Sequence, residues 1–580
     1  MFKDNRFKNL STESLKRDLI AGITVGIVAM PLGMAFAIAS GVKPEYGLYT
    51  TIIAGFIVAL FGGSRFQIAG PTGAFIPILL AIVLEHGYEN LLIAGFLAGI
   101  MLVLMGVFKL GKLIKYIPRS VTIGFTSGIA VIIFSGQIGD FLGLEDLEKK
   151  QFFHENMIQI AQNLSSVNWY SVLTAIIGLA SIILIPKLFP RVPVLLVALI
   201  LPTVVAVLFY PDKIATIGST FGGIRQSLPS FQFPEITWEK ILLLWQPAFV
   251  IAMLGGIESL LSAVVSDGMT GTRHNANREL VGQGLANIVT PMFGGIPATG
   301  AIARTATNIK AGAVSPFSGI LQSVFVLAIL LLFAPYASSI PLASMAPILM
   351  VVAFNMSEYK SFMHILKLKS SDSLVLATTF LLTVFVNLTV AVPVGLLLAM
   401  ISFIKRMGEV LEVKHVTPDV MKEKTNHNGE KLDESTCPQL SFYTIAGPLF
   451  FGAADRFESM ITRSINKRPT VLILKMKHVP TLDATGAANL ESLVTDFNAI
   501  GGTTIISEVN KDVLEMMKAT GLYDQIGSEN IFNSSQEAVD YGLTLIDINK
   551  CSICSSKNRT SCQAFKQSEE IQANQVVQRS

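Results

Sequence analysis

Between Leu19 and Arg406 the chain is a succession of apolar runs parted by short polar turns. Runs able to cross, or nearly cross, a hydrocarbon core of about 30 Å start near Leu19, Tyr46, Ile68, Leu91, Ser120, Tyr170, Val192, Ile241, Leu280, Thr299, Val314, Ile340, Ser373 and Val390. That pattern predicts fourteen spans, several of them shorter than 20 residues. Past Arg406 the period changes. Residues 407–438 are polar and read as a linker, and residues 439–547 alternate strand and helix patterns in the manner of one small α/β domain. Strands are expected at Ser441–Ala446, Thr470–Met476 and Thr503–Ser507. Helices are expected after Gly452 and over Gly486–Asn498, Lys511–Thr520 and Ser535–Leu545. Residues 548–580, rich in Ser, Gln, Asn and Lys, are expected to be disordered.

Composition supports the division. The 580 residues are 51% hydrophobic and 15% charged, with a mean hydropathy of +0.56, whereas an ordinary soluble domain carries about 25% charged residues. A soluble enzyme is excluded, and membrane transport or membrane enzymology remains. Residues 1–406 hold 27 Lys+Arg and 19 Asp+Glu, and residues 407–580 hold 17 and 22. The polar part is therefore net acidic and has no dense basic run, which argues against nucleic-acid binding. With the polar arm 1–18 taken as cytoplasmic, the inside loops carry 18 Lys+Arg and the outside loops six (Lys43, Lys149, Lys150, Lys213, Arg225 and Lys240). An even number of spans returns the chain to the cytoplasm, so residues 19–406 are read as a transmembrane domain of the cell membrane with both termini inside. All four cysteines, Cys437, Cys551, Cys554 and Cys562, lie in the polar part. The last three, C-x2-C-x7-C, lack a fourth ligand, and neither a metal site nor a cofactor is expected.

Two spans are interrupted by Gly and Pro in matching ways. The third opens GGSRFQIAGPTGAF (Gly62 to Phe75) and the tenth opens GGIPATGAIA (Gly294 to Ala303), so Thr72-Gly73-Ala74 recurs as Thr299-Gly300-Ala301, 227 residues later. Seven spans separate the copies, and an odd number inverts the second copy relative to the first. A helix that begins halfway through a membrane leaves N–H groups without partners and about half a positive charge at its start. Two such starts facing each other make a site for a small anion, with the Thr72 and Thr299 hydroxyls as caps or donors and Gly73 and Gly300 permitting close approach. The plainer alternative is that small residues merely let helices pack closely.

The eighth span, PAFVIAMLGGIESLLSAVV (Pro247 to Val265), contains one ionisable residue, Glu258. A carboxylate there is costly and is read as the residue that binds a coupling proton or sodium ion. Ser262, one turn further on the same face, is placed to complete a cation shell or to hydrogen-bond the carboxyl. Arg304 on the tenth span either adds positive potential beneath the anion, pairs with Glu258, or snorkels to headgroups. Pro31 is expected to break the first span, aiming Leu32 and Phe36 inward, Phe36 against the substrate.

Together these stretches, with PLGMAFAIASGVKPEYGLYT (Pro31 to Thr50) and GIESLLSAVVSDGMTGTRHNANRELVGQGLAN (Gly256 to Asn287), resemble the SulP family of sulfate permeases and related anion transporters. The resemblance implies a polytopic α-helical membrane protein of 14 spans, a 7+7 inverted repeat divided into core and gate bundles, and a homodimer. It implies an anion held by Leu32, Phe36, Thr72, Gly73, Ala74, Thr299, Gly300, Ala301 and Arg304, with Glu258 and Ser262 at the coupling ion. Residues 439–547 resemble the STAS domain, a module open to a cytoplasmic partner. In the related anti-sigma-factor antagonists the loop reads D-S-S-G, whereas TLDATG here gives Asp483, Ala484 and Thr485. Thr485 is thus a phosphorylation candidate, with a plain helix start the alternative. Plant and animal members often carry Gln where Leu32 stands, and sodium-bicarbonate members carry Asp where Glu258 stands. The expected function is proton-coupled symport of sulfate by elevator-type alternating access. The alternatives are a sodium- or proton-coupled bicarbonate or C4-dicarboxylate transporter, and an uncoupled anion channel or exchanger.

Overall fold

A computed structural model of the chain describes all residues except 1–4, 8–10, 113–116, 146, 190–191, 225, 228, 387, 417–438, 454–456, 458–468, 548–549 and 551–580. The four cysteines, most of the expected linker and nearly all of the expected tail lie outside the described residues. Two compact units are present, residues 1–399 and 400–580.

The first unit is helical. Its elements are α1 (Thr12–Ala39), α2 (Pro44–Phe61), the two-residue strand β1 (Ala69–Gly70), α3 (Ile76–His86), α4 (Tyr88–Val107), α5 (Arg119–Gly136), α6 (Ile138–Leu142), α7 (Phe153–Gln162), α8 (Trp169–Leu188), α9 (Val194–Phe209) and α10 (Ile217–Phe221). They continue with α11 (Trp238–Thr270), α12 (Ala276–Val289), the strand β2 (Thr299–Gly300), α13 (Ile302–Lys310), α14 (Phe317–Ala337), α15 (Leu342–Met356), α16 (Tyr359–Lys367), α17 (Ser371–Phe385) and α18 (Leu388–Glu409). Each of the fourteen expected spans has a helix or half-helix. Among the described residues, nine helical segments are long and apolar enough to cross a membrane.

Local signals fix the ends. Ser11 and Ser14 form a reciprocal capping box that starts α1, and Thr237 caps α11, which ends on Gly271 in the left-handed conformation. Contrary to expectation, Pro31 does not break the first span: α1 runs through it for 28 residues. A proline removes one helical donor and crowds the preceding turn, and the dense packing of residues 31–39, all buried, keeps the helix whole. Helices α1, α2, α4 and α11–α14 pack among themselves, while α5 packs with α15 and α17 and α8 packs with α9 and α15. Close approach depends on small residues: a Cβ on Gly99 of α4 would lie 2.7 Å from the carbonyl oxygen of Gly284 on α12, and the converse distance is the same.

The second unit is a five-stranded sheet in the order β3 (Glu412–His415), β4 (Leu440–Ala446), β5 (Val471–His478), β6 (Thr503–Ser507) and β7 (Ile531–Phe532). The first pair is antiparallel and the others are parallel. Helices α19 (Ala484–Ala499), α20 (Lys511–Ala519), α21 (Leu522–Ile526) and α22 (Ser535–Thr544) complete the unit. Val471 and Ile473 pack on one face of the sheet, Leu472, Leu474 and Met476 on the other. A parallel sheet covered on both faces reads as a continuous apolar run, as the sequence here does. Strand β3 corrects the expected linker: its first ten residues end in a strand paired with β4.

Candidate functional site at two crossed half-helices

The two Gly-rich breaks are held by polar side chains of α12. Buried Glu279 accepts from the Gly63 N–H at 2.7 Å and the Ser64 N–H at 3.0 Å, and its other oxygen accepts from Gln283 at 2.9 Å. Asn287 fixes the second break, accepting from the Ala298 N–H and donating to the Ala298 carbonyl, both at 2.8 Å. The chain then crosses itself as β1 and β2, antiparallel, with Ala69 opposite Gly300 and Gly70 opposite Thr299. Extending that register by one residue sets Pro71 opposite Ala298. Those two positions are 227 apart, the separation that relates Thr72 to Thr299.

The chemistry at the two starts is not symmetric. At the first, Thr72 leads into a single tight turn, Gly73–Phe75, and then α3. No hydrogen-bond acceptor is present for the Gly73 and Ala74 N–H groups among the described residues. At the second, the Gly300 N–H already donates to Ser259 Oγ at 2.9 Å and the Ala301 N–H to the Ile68 carbonyl at 2.8 Å. The Thr299 hydroxyl, fully buried, donates to the Gly255 carbonyl at 3.0 Å and sits 2.8 Å from Ser259 Oγ. Unpaired N–H groups inside a membrane protein cost several kcal/mol unless a ligand or water satisfies them. Gly73 and Ala74 thus supply open donors directly at the first crossing, whereas at the second the Gly300 and Ala301 N–H groups are already paired.

Adjacent residues of α11 grip the two starts separately. Thr72 Oγ1 donates to Glu258 Oε2 at 2.9 Å, while Ser259 holds Thr299 and Gly300. The Thr72 hydroxyl therefore serves Glu258 and does not cap its own helix, and the Thr299 hydroxyl is spent inside α11. Ser262 does not reach the carboxyl either, since its hydroxyl donates to Thr305 Oγ1 at 3.3 Å. Arg304, 2% exposed, donates from Nη2 to the Pro71 carbonyl, and its Nη1 has no hydrogen-bond partner among the described residues. Among the described residues Arg304 has no carboxylate within ion-pair distance; Glu258 acts on it from farther off, and its burial sets aside snorkelling. It is a buried positive charge beneath the crossing, packed against Gly70. Leu32 and Phe36 are buried in the apolar cluster that includes Ala74, Phe75 and Ile133. Sequence reasoning missed Ser259, Gln67, Glu279 and Asn287. Their signal is a polar side chain amid apolar or Gly-rich positions, where lipid demands a partner.

In the second unit Asp483 caps α19, accepting from the Gly486 N–H at 2.7 Å and, through its other oxygen, from the Phe451 N–H at 3.1 Å. Thr485 is exposed in the first turn.

Fold and site together define a membrane anion transporter, not an enzyme. The chain belongs to the sulfate permease family, whose model matches residues 15–379, and the STAS domain model matches residues 434–538. It is 53% identical over 535 residues to the Bacillus subtilis (strain 168) protein named "Putative sulfate transporter YvdB", covering 92% of this chain and 98% of that one. It is 31% identical over 505 residues to "Bicarbonate transporter BicA" of Picosynechococcus sp., covering 83% and 87%. Among solved structures, that of SLC26A9 matches with a TM-score of 0.82 at 18% identity over 94% of this chain and 93% of that one, a likeness of fold. The transmembrane domain of a cyanobacterial BicA matches with a TM-score of 0.60 at 31% identity, over 67% of this chain and 98% of that one.

Proposed function

We propose that the chain is a secondary active transporter that carries sulfate together with a proton, by elevator-type movement of the site-bearing helices, with both termini cytoplasmic. The hydrogen bond from Thr72 to Glu258 carries this reading. It sets the carboxyl of α11 on the residue that precedes the Gly73 and Ala74 N–H groups, open donors of the site. An anion on those donors would sit next to a carboxylate, and two like charges 4 Å apart repel by about 4 kcal/mol at an effective dielectric of about 20. A proton on Glu258 removes that repulsion. It also lets the carboxyl donate, so that the Thr72 hydroxyl can turn toward the anion. Anion and proton then occupy the site together, and the buried charge of Arg304 favours the pair. Ser262 is engaged with Thr305, which supports a proton over a sodium shell.

The name of the Bacillus relative supports sulfate, and the name of the cyanobacterial relative keeps bicarbonate as the competing substrate. Labelled sulfate uptake into proteoliposomes in sodium-free buffer, under an imposed inward proton gradient, tests the reading. Accumulation that bicarbonate and succinate compete with weakly is expected. A requirement for sodium, or stronger accumulation of bicarbonate, would overturn it.

A further inference from the structure

A second polar feature lies beside the site. A cavity of about 390 Å³ is lined by the first turn of α3 (Ile76, Pro77), the end of α5 (Ile133) and the loop after α6, including Lys149 and Lys150. By the Lys/Arg count this is the outer side of the membrane. Lys150 is already paired, its ammonium 2.7 Å from Glu148. Lys149 is in no ion pair among the described residues. Its ammonium instead donates to the Ile38 carbonyl at 2.5 Å, in the last turn of α1. A helix C-terminus attracts a cation, but an uncharged carbonyl does not neutralise Lys149, whose charge is offset only from beyond ion-pair distance. The remaining titratable groups of the lining, Glu85 and His86, lie 3.9 Å from each other. Asp140 on α6 acts on Lys149 from beyond ion-pair distance.

We propose that this cavity is the outer access route of the transported anion and that Lys149 is its electrostatic gate. The ammonium draws small anions into the cavity. Seated on Ile38 it also ties the loop after α6 to the end of α1, a bond that must break when α1 moves relative to α6. The inference rests on the anion-carrier reading but not on the identity of the coupling ion.

The test is uptake from the outer side by oriented proteoliposomes, comparing wild type, Lys149→Gln and Lys149→Arg. A charge in a low-dielectric cleft raises encounter with small ions of opposite sign tenfold or more. Lys149→Gln is therefore expected to raise the external KM for sulfate about tenfold, and Lys149→Arg to stay within about twofold. At 1 M salt, where screening acts within about 3 Å, wild type and Lys149→Gln should converge. Lys149→Cys, with the four native cysteines replaced by serine, gives a test on one folded sample. A positively charged thiol reagent should restore the KM, and a negatively charged one should raise it further. Equal effects of the two reagents, or an unchanged external KM in Lys149→Gln, would overturn the proposal while leaving transport itself intact. Absence of uptake by the wild type would instead overturn the carrier reading.

Discussion

The asymmetry between the two half-helix starts can be separated by one methyl group at each. A Cβ on Gly300 would lie 1.6 Å from Gln67 Nε2 and 3.1 Å from Ser259 Cα. Gln67 cannot simply swing away, because its Nε2 donates to the Ser259 carbonyl at 3.1 Å, and displacing it orphans buried polar atoms at about 1–3 kcal/mol. Overpacking a filled site adds about 1–3 kcal/mol. Gly300→Ala is therefore expected to destabilise the folded protein by about 2–6 kcal/mol. A Cβ on Gly73 would meet Met356 Sδ at 2.7 Å and Ile133 Cδ1 at 3.4 Å, both ends of flexible side chains. The fold should yield there, but the new methyl group stands at the open N–H groups. Weakening one charge-assisted hydrogen bond by about 1.5–3 kcal/mol corresponds to roughly a 10- to 150-fold loss of anion affinity. Thermal melting in detergent and calorimetric titration with sulfate measure the two quantities independently. Gly73→Ala should lose affinity at nearly unchanged melting, and Gly300→Ala should lose melting temperature. The reverse partition, or equal affinity losses at unchanged melting, would refute the asymmetric site.

Other residues give sharper single outcomes. Ser262→Ala breaks only a 3.3 Å bond to a Thr305 hydroxyl that still accepts from the Ile68 N–H, so proton-driven uptake should change less than about twofold, whereas a sodium shell built on Ser262 would lose about tenfold or more. Asp483→Ala removes the cap of α19 and should cost about 1 kcal/mol, read as faster hydrogen exchange over residues 484–499; unchanged exchange would contradict the cap. Burial raises the Glu508 carboxyl, but the Ser535 hydroxyl and the ammonium groups of Lys475 and Lys477 outweigh it and hold the carboxyl down to about 2, below its usual 4.5. Since the folded value is the lower one, this stabilisation is complete above about pH 4.5 and fades as pH falls toward 2. Protection of β5 and β6 should decline over that window in wild type, and Glu508→Gln should be flat across it.

Much of this was legible in the sequence because lipid leaves few options. Glu258, alone in an apolar run, and the repeated T-G-A breaks announce themselves wherever an unpaired polar group is expensive. The strand β6 and the helix α20 stand where their patterns predict. What escaped depends on partners brought from far along the chain. Whether Arg304 meets Glu258 or the Pro71 carbonyl, and whether Ser262 meets a carboxyl or Thr305, is decided by how α11 and α13 lie across each other, and no spacing rule encodes that. Pro31 misled because the rule for prolines treats a helix in isolation, while packing around residues 31–39 holds α1 together. Strand β3 was hidden in a polar stretch because one strand at a sheet edge buries little: of its four residues only Val413 is buried.

In the proposed mechanism Glu258 couples a proton to an anion on the Gly73 and Ala74 N–H groups. Glu258→Gln keeps an acceptor for the Thr72 hydroxyl but cannot gain or lose a proton. The decisive measurement follows labelled sulfate and internal pH together in proteoliposomes, in sodium-free buffer under an inward proton gradient. Wild type should accumulate sulfate and acidify the lumen in step. Glu258→Gln should bind sulfate and exchange it without accumulation or acidification. Gradient-driven accumulation by Glu258→Gln equal to that of wild type would contradict a coupling role for Glu258.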